Sequence, residues 1–392
     1  MKKKKLFLLA SLAAALAMTS CSSFDEPAAL DGDGMPLTRS GERSVPVTTE
    51  QELRDAIEFG MSDISIASDI TLTEALEINY PVSISGTAGK KITSSAPIVC
   101  KASANFFNLT INATTPKGSG AINMEAENID VVLKNVHLTQ NTAGTADAQA
   151  NVGIAILNTA CNNTLTIDST TMVLPGNYVR AVSMYNTTKK TVGLEIKNSH
   201  ITCGTNLSFP STYARLLSFS NVKTAAGSPV VIDNSTLEGA YYVVNVNMDS
   251  EIQVDVKNNS VLDGRAAFNI WTPGFVGNVT GSTLIGRNNY SGPTESFANI
   301  VINQGATGCT LNLTNTIFKM DVIEKQQANE QYAVSFRASG PTLTLKGTLD
   351  IYSTAGNDVT SFFSANAGVE DITINQQELT SFNVYEIQPS DI

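Results

Sequence analysis

The chain repeats one pattern of apolar and polar positions every few tens of residues. In each copy, apolar residues flank a polar one, an Asn, Ser or Gly follows, and another apolar residue comes three positions later. The clearest copies are VLKNVHL (132–138), EIKNSHI (195–201), VIDNSTL (231–237), DVKNNSV (255–261), NVTGSTL (278–284), NLTNTIF (312–318) and, more loosely, TLKGTLD (344–350). The spacing runs from 23 residues, between Asn258 and Gly281, to 36, between Asn198 and Asn234. A unit of this length predicts a solenoid whose coils share one continuous core.

A second set of apolar residues precedes each copy of this phrase. These pairs flank one other residue at Ile122–Met124, Ile154–Ile156, Val182–Met184, Leu217–Phe219, Val244–Val246, Phe268–Ile270, Ile300–Ile302 and Val334–Phe336. Such alternation predicts a strand whose apolar pair points inward and whose middle residue points out. No helical period is sustained, and the Asn-Gly hairpin signal is absent from the sequence. We therefore expect about eight or nine coils of a parallel β-helix between residues 80 and 380, rather than helical repeats or an antiparallel sandwich.

The Asn or Gly of the phrase falls where the chain turns a corner. Asn and Gly tolerate the left-handed conformation that a tight corner requires. The anchors are Asn135, Ser169, Asn198, Asn234, Asn258, Gly281, Asn315 and Gly347. Because stacked coils bring equivalent residues together, we predict that the Asn amides form a ladder with a structural role.

A column of alternating charge precedes these anchors. It reads Lys134, Asp168, Lys197, Asp233 and Lys257. Neighbouring strands lie about 4.8 Å apart, so these residues are predicted to form surface salt bridges along the coils. The alternative, that the two Asp are catalytic carboxylates, is less favoured because a lysine flanks each of them.

A helix and three short strands precede the repeats. Thr49 and Glu52 have the spacing of a capping box, an apolar stripe follows, and Gly60 lies where a helix should end. Alternating strands begin at Ile64, Ile70 and Leu76. This arrangement resembles the N-terminal cap of the pectate-lyase-like superfamily. The resemblance implies an all-β fold, a right-handed parallel β-helix solenoid with a short N-terminal capping helix.

The N-terminus has the features of an export signal. A basic run (Lys2–Lys5) precedes an apolar run (Leu6–Ala17) that is too short to span a bilayer, and Cys21 follows. This resembles a bacterial lipoprotein signal lipidated at Cys21; an ordinary secretory signal is the alternative. We predict a signal peptide over 1–20, a flexible tether over 21–44 and the β-helix with its cap over 45–392.

The acids that follow the cysteine bear on location. Asp25 and Glu26 resemble the surface-export tag of outer-membrane lipoproteins in Gram-negative gut commensals. The resemblance implies a protein lipid-anchored in the outer membrane and exposed at the cell surface rather than facing the periplasm. Membrane contact is then expected only through the lipid.

Composition narrows the classes of partner. The chain has 42% hydrophobic and only 16% charged residues, with a net charge of −11. Removing residues 1–20 takes away four lysines and leaves 21 basic against 36 acidic residues, a charge of −15. Nucleic-acid binding is not expected, because it needs a basic surface.

Candidate chemistry is sparse. The two histidines, His137 and His200, occupy one column but are expected two strands apart, too far to share a zinc ion. We expect no metal and no cofactor. The strings Asn-Thr-Asp, Gly-His-Gly and Arg-Ile-Lys of polygalacturonase-like enzymes are missing, and the strand carboxylates alternate with lysines rather than forming a calcium site. Four cysteines are expected to be buried thiols: Cys100, Cys161, Cys203 and Cys309.

One outward face suggests ligand binding. It combines amides with the only Trp, in the middle positions of the paired strands and directly after them. The candidate residues are Tyr185, Asn245, Asn247, Asn269, Trp271, Asn303 and Arg337. Aromatic platforms and amides suit an extended glycan, so our first hypothesis is a non-catalytic surface protein that binds polysaccharide or host glycoconjugate. A polysaccharide lyase or glycoside hydrolase is the alternative, and a purely structural surface component is the third.

Overall fold

The computed structural model describes residues 44–392 apart from 88, 143, 147–149, 158–159, 205–213, 288–296, 322–330, 354–361 and 388–392. Cys21, the predicted signal peptide and the predicted tether except for Ser44 lie outside the described residues. One helix, α1 (Glu50–Glu58), follows the first strand. The strands in chain order are β1 (Val45–Val47), β2 (Asp63–Ile66), β3 (Ile70–Leu72), β4 (Leu76–Ile78), β5 (Val82–Gly86), β6 (Lys91–Ser94), β7 (Ile98–Cys100), β8 (Ala104–Phe107), β9 (Thr110–Ala113), β10 (Gly120–Met124), β11 (Asp130–Lys134), β12 (His137–Gln140), β13 (Asn151–Ile156), β14 (Asn163–Asp168), β15 (Thr171–Leu174), β16 (Val179–Lys197), β17 (His200–Cys203), β18 (Arg215–Lys223), β19 (Val230–Asp233), β20 (Thr236–Val246), β21 (Gln253–Lys257), β22 (Val261–Ile270), β23 (Val276–Thr280), β24 (Thr283–Arg287), β25 (Phe297–Ile302), β26 (Thr310–Asp321), β27 (Gln331–Phe336), β28 (Thr342–Tyr352), β29 (Phe363–Ala365) and β30 (Thr373–Tyr385).

The strands pair in parallel, each with its counterpart in the next coil. In one coil, β11, β12 and β13 pair with β14, β15 and β16 respectively. Each coil thus has three strands. In the coil just described, β11 is the first strand, β12 the second and β13 the third, and the strands of the other coils are named by their pairing with these. They build three parallel sheets around one apolar core. The predicted all-β parallel β-helix with its short N-terminal helix is confirmed.

The number of strands and coils differs from the prediction. The repeated phrase is not one strand: β11 forms its first half and β12 its second, with Asn135 between them. First-sheet strands between residues 80 and 380 are β5, β8, β11, β14, the end of β16, β19, β21, β23, and the starts of β26, β28 and β30. These are eleven strands, more than eight or nine, because the coils of β5, β8 and β30 lie outside the run of anchors from Asn135 to Gly347.

Inward side chains form a continuous apolar stack. The inward apolar residues of all three sheets belong to one buried cluster that extends from Val47 to Phe362. Its largest fully buried side chains include seven phenylalanines: Phe106, Phe219, Phe268, Phe275, Phe318, Phe336 and Phe362. Burying such a side chain stabilises the fold by roughly 1.5–3 kcal/mol, so the core is the main source of stability.

The corner residues have the predicted conformation. Every anchor of the phrase has a positive φ, from 45° at Asn234 to 65° at Gly347. The amide ladder is also present: Asn135 Nδ2 donates to Asn108 Oδ1 at 2.7 Å, and Asn234 Nδ2 donates to Asn198 Oδ1 at 2.8 Å. The Asn side chains therefore hold successive coils in register, as predicted.

We expect Asn234→Val to lower the free energy of unfolding by about 1–2 kcal/mol, because a β-branched residue is strained at the positive φ of this corner. The substitution also removes the amide bond to Asn198. Thr236→Val, on an outward position of β20, is the matched control and should change stability by less than about 0.5 kcal/mol. Urea denaturation followed by circular dichroism measures both. Equal stability of the two variants would show that the corner tolerates any side chain.

The charge column has the predicted register but fewer ion pairs than predicted. Lys134, Asp168, Lys197, Asp233 and Lys257 pair strand to strand in that order. Along this column only Lys257 and Asp233 approach within ion-pair distance, at 3.5 Å. Asp168 instead accepts a hydrogen bond from Asn198 Nδ2 at 3.3 Å. The column contributes little to stability, as exposed pairs generally do.

The helix α1 caps the first coil. Thr49 Oγ1 accepts from the backbone N–H of Glu52 at 3.2 Å, so Thr49 is the N-cap as predicted. The Glu52 carboxylate bonds to the N–H of Thr48, one residue earlier than a capping box requires, at 2.7 Å. Gly60 follows the last turn with a φ of +70°, which closes the helix as expected. The apolar residues of the helix are buried: Leu53, Ala56 and Ile57.

The four cysteines described by the structure are buried and not paired with one another. Burial raises the pKa of the Cys100 thiol to about 12 and that of Cys309 to about 11, and it also raises the pKa of Cys203. A hydrogen bond to Glu127 raises the pKa of Cys161. This matches the prediction of buried thiols.

In the native protein at mildly alkaline pH, we expect iodoacetamide to label Cys161 before the other three cysteines. Cys161 is 7% exposed, whereas Cys100, Cys203 and Cys309 have no exposed surface. The three should become reactive only in denaturant, because unfolding removes the burial that keeps their thiols protonated. Mass spectrometry of the labelled peptides measures the order. Labelling of Cys100 as fast as Cys161 in the native protein would contradict this assignment.

Candidate functional site

The predicted ligand-binding face lies on the third sheet, where three of its asparagines are buried. Asn245, Asn269 and Asn303 are at most 3% exposed. Asn269 Nδ2 donates to Asn245 Oδ1 at 2.7 Å, and Asn303 Nδ2 donates to Asn269 Oδ1 at 2.8 Å. The sequence placed these side chains on an open surface; instead they form a second, buried amide ladder. Their hydrogen-bonding groups are used within the protein.

The remaining residues of that face are more accessible. Tyr185 and Trp271 are exposed, and Asn247 and Arg337 are half-buried. Along the third sheet, Tyr185 and Trp271 are three strand spacings apart, with the positions of Ser220 and Asn247 between them. About 14 Å of sheet therefore separates the two aromatic residues. The structure therefore brings together no aromatic pair on this face, and its role in ligand binding stays a prediction.

A different set of residues lines up on the outside of the second sheet. In each of seven consecutive coils, the same outward position is paired in register with the next. We call this column the second-sheet stripe; it consists of Thr202, Glu238, Asp263, Ile285, Lys319, Tyr352 and Tyr385. Its charged and aromatic side chains adjoin His200 and Arg287.

An acid–base pair lies at the start of the stripe. His200 Nε2 is 2.7 Å from Glu238 Oε1, and Thr202 Oγ1 donates to the same carboxylate oxygen at 3.4 Å. His200 is exposed and Glu238 is half-buried. A solvent-accessible imidazole oriented by a carboxylate can accept or donate a proton at a bound ligand. The two histidines are separated by the strand of Thr171, as the sequence predicted.

A buried ion pair forms the centre of the stripe. Arg287 Nε and Nη2 donate to the two carboxylate oxygens of Asp263, both at 2.6 Å. The Asp263 side chain is 6% exposed and that of Arg287 is 14% exposed. Burial raises the pKa of Asp263, while the hydrogen bonds and charge of Arg287 act in the opposite direction. The charges of Glu238 and Lys319 also act on the pKa of this carboxyl, Glu238 raising it and Lys319 lowering it.

An aromatic pair ends the stripe. The rings of Tyr352 and Tyr385 stack with centroids 4.9 Å apart and an angle of 27° between their planes. Lys319 Nζ lies 5.5 Å from the centre of the Tyr352 ring, which favours a cation–π interaction. Tyr385 is exposed. The stripe thus changes along its length from an acid–base pair, through a buried ion pair, to a cation and two stacked rings.

The sequence contains a signal for this stripe, namely the spacing of its charged residues from the corner anchors. Glu238 and Lys319 each come four residues after their anchors, Asn234 and Asn315. Asp263 comes five residues after Asn258, because Asn259 also adopts a positive φ and adds a residue to that corner. Such one-residue insertions disrupt an alignment by fixed spacing. From the sequence, His200 is assigned to one column with His137 as a surface residue, and its pairing with Glu238 is not predicted.

The described residues show no group of three or more His, Cys, Asp or Glu that could hold a metal ion. Over the same part of the chain, no helix has the length and apolar character needed to cross a membrane.

Comparisons with known proteins find likeness only among solved structures. No family model and no curated protein matches the chain. A PL6 alginate lyase in complex with a trisaccharide is 11% identical, over 88% of this chain and 94% of that one, with a TM-score of 0.39. A PL6-family polysaccharide lyase from Pseudopedobacter saltans is 12% identical, over 88% and 94%, with a TM-score of 0.37. The Dettilon tailspike protein is 12% identical with a TM-score of 0.39, and the match covers 91% of this chain but 66% of the tailspike. The fold described above rests on the strand pairing itself.

Proposed function

We propose that this protein binds an extended polysaccharide along the second-sheet stripe. The observation that carries the proposal is the register: seven consecutive strands place charged, hydrogen-bonding and aromatic side chains in one outward column. Strands about 4.8 Å apart give the column a length of about 29 Å, enough for several sugar units of a linear chain. A stacked tyrosine pair offers the apolar face that sugars bind, and the polar groups can fix the position of hydroxyls.

The location of the protein enters this proposal through the sequence. A chain exported and lipidated at Cys21 would be anchored in the outer membrane, with a tether between the lipid and the first strand. Surface exposure would then give the β-helix access to polysaccharide or host glycoconjugate. Metabolic labelling with a clickable fatty acid tests this location, and Cys21→Ala should abolish the label.

Binding is tested with polysaccharides immobilised in native affinity gels. Tyr385→Ala is expected to weaken binding about tenfold, because it removes the exposed member of the stacked pair. Trp271→Ala is the matched control, since it truncates an exposed aromatic on the third sheet. If Trp271→Ala weakens binding and Tyr385→Ala does not, the ligand binds the face predicted from the sequence and not the stripe. If the wild-type protein binds no polysaccharide, the proposed function is wrong.

Cleavage of the polysaccharide is the second candidate, favoured by the contact of 2.7 Å between His200 and Glu238. An imidazole held by a carboxylate is a suitable general base or acid for a lyase or hydrolase. Product formation from acidic and neutral polysaccharides, followed by reducing ends and by the ultraviolet absorbance of unsaturated sugars, tests this activity. His200→Gln should abolish turnover while leaving affinity within about threefold, because the amide keeps a hydrogen-bonding group but cannot transfer a proton at neutral pH. Absence of any product from the wild-type protein would leave binding as the function.

A further inference from the structure

The two ends of the solenoid are covered differently. At the start of the β-helix, α1 lies over the first coil and buries Leu53, Ala56 and Ile57. The other end is formed by β30, which pairs with β28 on one side. No strand among the described residues pairs with its other side. An open coil exposes both the end of the core and a row of backbone hydrogen-bonding groups, so repeat proteins need a cover there.

The apolar core reaches the surface at the β30 end. In β28, the inward residues Leu349 and Ile351 are at most 1% exposed. Their register partners in β30 are Phe382 and Val384, and both of these are only half-buried. Apolar surface that is grouped in this way marks a contact site. The end of the solenoid therefore has the character of a docking surface.

The second half of β30, Ser381–Tyr385, is suited to pairing with another strand. It contains no charged residue and no proline, which are two common obstacles to edge pairing. Its register with β28 is regular, and both register shifts of the pair lie before it. The carbonyl of Tyr385 accepts from the N–H of Ser353 in the chain segment after β28. Because backbone groups alternate in direction along a strand, those of Phe382 and Val384 face the open edge.

We propose that a second copy of this chain covers this end, related to the first by a two-fold axis at Asn383. The two Ser381–Tyr385 segments then pair antiparallel, with Asn383 opposite its own copy. Phe382 lies opposite Val384 of the second copy, so their free backbone groups form two hydrogen-bonded pairs across the axis. Two-fold contacts of this self-complementary kind are the commonest in protein dimers.

The distribution of charge permits this contact. The chain has a net charge of −11, so two copies repel each other over much of their surface. Around the proposed axis the nearest acids do not face each other. Glu378 is paired with Lys346 of its own copy at 2.8 Å. Glu386 lies opposite Thr380 of the second copy, three residues beyond the axis. The end of the solenoid is thus a surface on which two acidic copies can meet.

The size of the contact predicts a weak dimer. β30 has 13 residues, so at about 3.3 Å per residue and about 10 Å of depth the end covers on the order of 400 Å² per copy. A stable complex buries roughly 800 Å² per partner. We therefore expect a dissociation constant on the order of 10–100 µM.

The dimer adds residues to the second-sheet stripe. The two-fold axis is perpendicular to the second sheet, so the outer faces of both copies lie on the same side. Tyr385 then lies opposite Ser381 of the second copy, and the two Tyr385 residues are about 14 Å apart. One surface thus carries two stacked tyrosine pairs. Their use in binding polysaccharide rests on the proposed function, whereas the dimer itself does not.

Sedimentation velocity without polysaccharide tests the dimer. All samples carry Cys21→Ala, so that no lipid causes association. Between about 1 and 200 µM protein, a range that brackets the expected dissociation constant, the average mass should rise from one chain towards two. A mass of one chain over the whole range overturns the inference and leaves the proposed function intact. A mass that rises beyond two chains also overturns it, because a two-fold contact is closed. Failure to bind polysaccharide would overturn the proposed function and leave the dimer intact.

Charged residues at position 383 test the axis. Asn383→Lys and Asn383→Glu each place like charges opposite each other, so each should weaken dimerisation at least tenfold. An equimolar mixture of the two variants should restore it, because unlike charges then face each other. Asn112→Lys, at an outward position of β9 on the same sheet, is the matched control and should dimerise as the wild type does. Circular dichroism confirms that each variant is folded. If both single variants dimerise like the wild type, or if their mixture stays monomeric, the two-fold contact is wrong.

Discussion

Replacing Phe268 by alanine is expected to lower the free energy of unfolding by about 3–5 kcal/mol. Phe268 is fully buried in the third sheet, and its ring packs edge to face on that of Phe275, with centroids 6.2 Å apart. The stacked coils above and below hold the surrounding backbone in place, so the cavity cannot readily collapse. The loss therefore includes both the buried apolar surface and the cavity.

Chemical denaturation of both Phe268→Ala and Tyr80→Ala measures this effect. Tyr80 is an exposed aromatic residue, and its truncation should cost less than about 0.5 kcal/mol. Because a solenoid can unfold in segments, the transition should be followed by far-ultraviolet circular dichroism and by Trp271 fluorescence. A change of less than about 1 kcal/mol in Phe268→Ala would show that neighbouring coils close around the cavity.

Arg287→Ala is expected to destabilise the protein by a similar amount, about 3–5 kcal/mol. The substitution leaves the Asp263 carboxylate buried without the guanidinium that neutralises its charge. The double variant Asp263→Val/Arg287→Leu should recover most of this loss, since it buries no charge.

The control for this set is the exposed pair of Lys257 and Asp233, 3.5 Å apart on the first sheet. Lys257→Ala should cost less than about 1 kcal/mol, because exposed ion pairs contribute little. Thermal and urea unfolding of these three variants and the wild-type protein gives the comparison. A double variant as unstable as Arg287→Ala would show that the ion pair itself is needed for folding.

The repeat in the sequence was enough to predict the fold and the register. Corner residues such as Asn135 and Asn234 are identifiable because few other residues tolerate a positive φ. In the strand that precedes each phrase, two apolar residues flank one other residue, and this alternation fixes which side chains point toward the core. The number of strands per coil was not predicted correctly. Apolar residues flank Asn135 on both sides, so two strands that meet at a single corner residue read as one continuous pattern.

The candidate site was predicted less well, for two physical reasons. Period-two alternation shows that Asn245 and Asn269 point away from the core, but it does not show whether another part of the molecule buries them. The column of Glu238, Asp263 and Lys319 depends on register across coils of unequal length, which one inserted corner residue shifts. Both questions are decided by contacts between distant parts of the chain, which a single sequence does not specify.

The separation of inward and outward positions has a consequence for how this molecule can evolve. In each of seven coils the second strand contributes one stripe residue that points away from the core, as Lys319 does between the buried Phe318 and Met320. Exchanging such a residue leaves the backbone hydrogen bonds between neighbouring coils intact. A lineage could thus revise its recognition of a polymer one sugar contact at a time, and a protein engineer could follow the same route.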